Sequence, residues 1–182
     1  MSAVVLLNGV SSAGKSSIAR AIQLQASRPL LYMPMDAFLD MMPSRYLDHP
    51  DGWRFETLEQ DGRPAVAVHS GSDVKTAFRG MRRAIAAMAD AGNNVVVDDV
   101  FWNDELADYR ALLAAHDFRA VAVIAPLEVL ERRERDRGDR AVGLARWQFD
   151  RVHAGAAYDL TVDTNQASPE ECARRVVDAF GL

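Results

Sequence analysis

One cysteine, two lysines and no long apolar run set the first limits on this 182-residue chain. A single thiol, Cys172, cannot form an internal disulfide, which suits a reducing compartment. It falls in a helical stretch with no histidine nearby, and so reads as structural. No stretch of about eighteen uncharged apolar residues exists, so no membrane span is expected. The first residues lack the basic segment, apolar core and cleavage site of a secretory leader, and a cytoplasmic location is expected. His49, His69, His116 and His153 follow no metal-ligand or triad spacing. There is no internal repeat, and no N-K-x-D run of the kind that guanine-selective switches carry. The net charge of −5 offers no general surface for nucleic acid.

Positive charge, where present, is arginine. Nineteen Arg stand against two Lys, and seven of them fall between Arg132 and Arg151. A solvated helix face accounts for such a run, and so does a phosphate clamp, because the guanidinium fork stays charged and bonds bidentately.

Apolar patterning alternates strand and helix. Ala3–Asn8 is a short apolar run suited to a strand buried on both faces. A helix is predicted over 16–26, a second strand over 30–35 ending in Asp36, and a short helix over 37–42 stopped by Pro43. A long helix is predicted over 73–91, a third strand over 95–97, and a helix capped by Asn103 running to 115. A fourth strand over 119–124, helices over 127–135 and 143–153, and a fifth strand over 160–163 follow. Ser168-Pro169-Glu170-Glu171 opens the last helix with an N-cap, a first-turn proline and a capping-box glutamate. The expectation is an α/β fold with a mostly parallel five-stranded sheet flanked by helices. Residues 44–72 interrupt it, and Asp61-Gly62 is placed to turn a hairpin between 53–58 and 65–69. They read as an insertion within one domain spanning 1–182.

Gly9-Val10-Ser11-Ser12-Ala13-Gly14-Lys15-Ser16 matches G-x-x-x-x-G-K-S in full, between a predicted strand and a predicted helix. The glycines let successive N–H groups of the loop, through Ser17, face a phosphate at a helix N-terminus. Lys15 reaches the β- and γ-phosphates, and the Ser16 hydroxyl ligates Mg²⁺. The strand ending in Asp98-Asp99 supplies a second acidic group for the metal. Adjacent side chains on a strand point opposite ways, so one of the two faces it; Asp98 is favoured, with Asp99 the alternative. In Arg132–Arg140, Arg133 and Arg137 share one helix face and Arg140 follows a glycine hinge. As a lid over about 132–142 this segment brings positive charge to the transferring phosphoryl group.

On the acceptor side, Asp36 at a strand end is placed to accept the proton of an attacking hydroxyl; capping the next helix is its structural alternative. Asp40 lies one turn further on. Met33, Met35, Phe38, Met41, Met42, Phe101 and Trp102 surround this edge, so an acceptor with a large apolar part is expected. Phe38, Met41, Phe101 and Trp102, with Asp36 and Asp40, are the expected acceptor contacts.

These residues resemble the chloramphenicol phosphotransferase group of P-loop kinases. The resemblance rests on L-N-G-x-S-S-A-G-K-S from Leu7, D-x-x-x-D-x-M-P from Asp36, D-D-V-F from Asp98 and R-G-D-R from Arg137. It continues through His153-Ala154-Gly155, Tyr158-Asp159 and V-D-T from Val162. It implies ATP with Mg²⁺ as donor, an alcohol acceptor, Asp36 as base, and an adenine close to 162–165, hence to Thr164. The expected function is ATP-dependent transfer of the γ-phosphoryl group to a hydroxyl of a small molecule, resembling chloramphenicol 3-O-phosphorylation, with antibiotic inactivation one form of it and a nucleoside-like or sugar-like metabolite as acceptor another. A nucleoside, nucleotide or other metabolite kinase is the first alternative, with Arg45 or Arg54 for an acceptor phosphate. A slow NTP-hydrolysing switch is the second. The expected partner is a small hydroxylated molecule, with neither nucleic acid nor membrane, and a homo-oligomer is compatible with the sequence.

Overall fold

A computed structural model describes residues 1–102, 104–138 and 141–182. Strand β1 (Ala3–Asn8) leads into helix α1 (Lys15–Gln25), then β2 (Leu30–Pro34) and α2 (Met35–Leu39). An antiparallel hairpin follows, β3 (Trp53–Gln60) with β4 (Arg63–Ser70), turned at Asp61-Gly62 as expected. Next come α3 (Ser72–Asp90), β5 (Asn94–Asp99), α4 (Glu105–Leu112) and β6 (Asp117–Ile124). The chain ends with α5 (Leu127–Arg137), α6 (Leu144–Phe149), β7 (Leu160–Asp163) and α7 (Pro169–Phe180). The five-stranded sheet runs β2-β5-β1-β6-β7, with every neighbouring pair parallel.

Alternation along the central strand explains why it is apolar throughout. Val5 and Leu7 pack with Ile18, Ile22, Val121 and Val176 on one face of the sheet. Val4 and Leu6 pack with Met81, Ile85, Tyr109 and Leu113 on the other. Burying an aliphatic side chain of this size contributes roughly 1.5–3 kcal/mol. The two faces therefore hold α1 and α7 against one side and α3 and α4 against the other.

Several boundaries shift. Helix α2 begins two residues early, after Pro34, so Asp36 lies in its first turn and does not cap it. Pro34 occupies the N-cap position in extended backbone, φ −77° and ψ 141°, and its ring fixes that φ. Helix α4 starts at Glu105 behind Asp104, and the expected Asn103 cap lies outside the described residues. The helix expected over 143–153 stops at Phe149 and continues as turns to Gly155. Ser168 and Glu171 form the expected capping box, with side-chain bonds of 3.2 and 2.8 Å.

The hairpin is closed at its base and docked along its length. At the base, Gly71 N–H donates to Gly52 O at 2.8 Å. Midway along β4, Val66 N–H donates to Gly143 O at 3.0 Å. Gly143 has φ 102°, and a Cβ there would lie 2.8 Å from Pro64 O, so only glycine allows the hairpin to sit this close. Glu134, 1 % exposed, accepts from the N–H groups of Gly143 and Ala145 at 2.7 and 2.8 Å. This ties α5 to the start of α6 beneath the hairpin.

Candidate active site

The loop between β1 and α1 emerges at the C-terminal edge of the sheet, where ligands of parallel sheets bind. Ser12 has φ 63° and Gly14 φ 95°, and such left-handed residues turn the N–H groups of a loop inward as an anion-binding nest. Ser12 Oγ is buried without a hydrogen-bond partner among the described residues. Lys15 is 7 % exposed, and its Nζ donates to Gly9 O at 2.9 Å and Val10 O at 3.2 Å. Ser11 N–H donates to Gln148 Oε1 at 2.8 Å, bringing α6 against the loop.

Strand pairing aligns Leu7 with Asp98 and Asn8 with Asp99. Asp98 follows Val96 in the pleat and faces α1; Asp99 follows Val97 and faces α3 and α4. Asp98 accordingly accepts from Ser16 Oγ at 2.6 Å, lies 3.8 Å from Lys15 Nζ, and accepts from the Tyr32 hydroxyl at 2.9 Å. Burial first, and then the charge of Asp98, push the Tyr32 phenol up to about 12. Asp99 is not brought to the loop. It accepts from Tyr109 OH at 2.7 Å and from the Val100 N–H at 2.7 Å, and burial pushes its carboxyl above the usual range. As a metal ligand beside Ser16 it is therefore misplaced by the strand pleat.

Asn8 locks this edge. Its Nδ2 donates to Tyr158 OH at 2.8 Å and to the carbonyls of Phe101 and Val152, both at 3.2 Å. Its Oδ1 accepts from Phe101 N–H at 3.1 Å. The L-N-G-x-S-S-A-G-K-S motif contains it, but the sequence assigned it no role.

A cleft of about 190 Å³ opens between the loop and α2. One wall is Ser11, Ser12 and residues 14–17 with Asp98; Asp36 stands on the other, with Met35 and Leu39. Arg137 closes one end. The remainder is aromatic and apolar: Trp53, Phe55 and Val68 from the hairpin, Trp102 after β5, and Leu144 from α6. Trp102 is propped edge-on by Trp147 at 5.4 Å, and Trp53 by Phe78 at 5.7 Å.

Arg133 and Arg137 share a face of α5, as their spacing predicts. Both border a second opening with Ser12, Gly14, Ser17 and Thr164. Arg133 donates to Thr164 Oγ1 at 2.8 Å and to Thr164 O at 2.9 Å, while Thr164 Oγ1 donates to Ala13 O at 3.0 Å. Arg140 lies outside the described residues.

Four expected acceptor contacts do not line the cleft. Met41 is 72 % exposed, and Phe101 is 2 % exposed behind β5 against Tyr109. Phe38 packs on the core, and Asp40 borders a separate hollow beside Met42. Helix α2 starts early and ends at Leu39, which carries Met41 past the cleft instead of into it. Trp53, Phe55 and Val68, on the predicted hairpin strands, and Leu144 and Gln148, on the helix predicted over 143–153, line it instead without having been expected there.

The donor set suits a nucleotide-bound divalent ion. Among the described residues no three His, Cys, Asp or Glu side chains gather as a metal cage. Ser16 and Asp98 offer oxygens beside a phosphate nest, the arrangement that leaves most of a magnesium shell to phosphates and water.

Solved structures share the fold. An APS kinase of Mycobacterium tuberculosis, in complex with AMPPNP and APS, matches 100 % of this chain and 98 % of its own with TM-score 0.70 and 20 % identity. A gluconokinase from Sinorhizobium meliloti matches 98 % of this chain and 91 % of its own with TM-score 0.63 and 16 % identity. By sheet order, phosphate loop and overall likeness, the fold is that of the P-loop kinases. In sequence, two strains of Mycobacterium tuberculosis (CDC 1551 and H37Rv) each hold a protein named "Putative O-phosphotransferase". Each is 35 % identical over 97 % of this chain and 81 % of its own length. The chain belongs to the chloramphenicol phosphotransferase-like family, which it matches over residues 2–181. It is a phosphotransferase of the P-loop type.

Proposed function

We propose that the protein transfers the γ-phosphoryl group of ATP to a hydroxyl of a small acceptor with a large apolar body. The observation that carries this reading is the cleft with the phosphate loop and Asp98 on one wall and Asp36 on the other. Asp36 takes the proton of the acceptor hydroxyl as its oxygen attacks the γ-phosphorus. The bond from that phosphorus to the β–γ bridging oxygen breaks, and ADP leaves. Lys15, Arg137 and the family-matched Arg140 stabilise the charge on the phosphoryl oxygens. Ser11–Ser17 hold the β-phosphate, and Arg133 with Thr164 bounds the base of the nucleotide. Ser16 directly and Asp98 beside it would hold Mg²⁺, which shields phosphate charge during in-line transfer. The aromatic walls exclude water, so transfer outruns hydrolysis.

The members of the family support an alcohol acceptor, and chloramphenicol-like alcohols are the first compounds to try. Arg45 and Arg54, which a nucleotide acceptor would use, do not line the cleft. The test is a screen of hydroxylated antibiotics, nucleosides and metabolites with labelled ATP and Mg²⁺, reading phosphorylated product. Asp36→Asn is expected to cut transfer by roughly 10²–10⁴-fold while ATP binding persists. Hydrolysis without any acceptor product would favour the switch instead, and failure to bind ATP would end the reading.

A further inference from the structure

A larger cavity, about 600 Å³, lies behind the cleft. Trp53, Val68, Val100 and Trp102 line both, so the two spaces adjoin at the pair of tryptophans. None of its lining residues belongs to the phosphate loop, and four of them, Lys75, Phe78, Arg79 and Arg82, come from α3. Its wall carries Lys75, Arg79 and Arg82, spaced four and three residues apart along α3 and hence on one helix face.

Formal charge in the cavity balances, because Asp99, Glu105 and Asp108 line it too. The distribution does not. Asp99 is 3 % exposed and filled by Tyr109 OH and the Val100 N–H. Glu105 is engaged by Arg82, which also lies over the Tyr109 ring. Arg82 Nε is nevertheless buried with no hydrogen-bond partner among the described residues, an orphaned donor beside the cavity. Among the described residues Arg79 meets only the Thr76 hydroxyl, at 2.8 Å, and Lys75 has no ion pair; both are exposed at the rim of this space. His69, at the hairpin edge, is paired with Glu56 at 2.8 Å. The cations left to a ligand are therefore Lys75 and Arg79, with Asp108 the single carboxylate not already engaged.

We infer that the acceptor is bipartite. Its hydroxyl sits in the cleft at Asp36, its apolar body passes between Trp53 and Trp102, and an anionic group at its far end is held by Lys75 and Arg79. A carboxylate or a phosphoryl group meets the chemistry equally, since both accept bidentate and charge-assisted bonds. This inference rests on the phosphotransferase reading above and narrows its substrate class from apolar alcohols to hydroxylated acids.

The test uses hydroxymethyl-aryl carboxylates of three spacer lengths, each matched with its neutral amide, and a phosphonate series in parallel. Transfer from ATP is read as kcat/KM, and binding as quenching of tryptophan fluorescence. At least one acid is expected to exceed its amide by on the order of tenfold, as a charge-assisted bond implies. Preference for carboxylate or phosphonate over the amide supports the proposal and distinguishes the two anions. In Lys75→Gln/Arg79→Gln, checked for an unchanged melting temperature, the acid-to-amide ratio is expected to fall to about one. Arg79→Gln alone, should the double variant fail to fold, is expected to lower that ratio severalfold. Amides used as well as every acid, no binding of any acid, or a preference that survives these variants overturns the proposal. The first of these leaves the phosphotransferase reading standing, whereas loss of ATP binding overturns both.

Discussion

The two walls of the cleft are built on different plans. On the phosphate side the polar groups, Ser12 Oγ apart, are pinned: Ser16 and Tyr32 on Asp98, Gln148 on Ser11, Asn8 on the loop after β5. On the acceptor side the contacts come from half-exposed aromatics on a hairpin outside the main sheet. Phosphoryl transfer asks for charges held where the transition state needs them, so that wall is preorganised by buried hydrogen bonds. Acceptor choice asks only for a shaped surface, and a hairpin can change its side chains without disturbing the sheet. The contrast separates chemistry from specificity.

The largest effect that tests this contrast is Lys15→Ala. It is expected to reduce transfer roughly a thousandfold for every acceptor alike, measured as labelled product, because it removes charge from the reacting phosphoryl group. An acceptor-dependent loss would break the division between the walls. Asn8→Leu comes next. It leaves the Phe101 N–H and two carbonyls without their buried partner, at about 1–3 kcal/mol for an unsatisfied group, seen as a lower urea midpoint. Trp53→Ala is smaller and confined to the other wall: about a tenfold rise in KM for the acceptor with the KM for ATP unchanged. A matching change in ATP kinetics would mean that the hairpin also shapes the nucleotide site.

The smallest effect is a pH slope. Burial, with Lys15 adding to it, holds the His153 imidazole below its ordinary 6.5, against a backbone bond to Val123. Above 6.5 neither folded nor unfolded chain is protonated there. As pH falls below 6.5 the unfolded chain takes up a proton that the folded chain resists, so stability is lost on the acid side. His153→Gln should flatten the change in urea midpoint between pH 7.5 and 5.5; an unaltered slope would assign it to other groups.

How much was legible follows the same division. The phosphate loop is eight consecutive residues, and a contiguous motif needs no knowledge of packing. Asp98 and Asp99 were separable in principle by the pleat, since neighbouring side chains on a strand face opposite layers. The hairpin strands were readable from Asp61-Gly62, but not where they dock. That depends on Val66 meeting Gly143 across 77 positions of sequence, a contact no local pattern encodes. Met41 and Phe101 were misplaced for a related reason. A shift of two residues in the start of α2 moves a side chain from the cleft to solvent, and apolar character alone does not say which layer of a sheet a residue joins.

The scarcity of lysine has a practical corollary. The two ε-amines in the chain divide between the two spaces, Lys15 at the phosphate loop and Lys75 in the cavity behind the tryptophans. An amine-selective acylating reagent followed by peptide mass mapping thus yields a built-in occupancy gauge for each compartment, with no engineered tag. ATP should shield Lys15 alone, and an acidic acceptor should shield Lys75 alone.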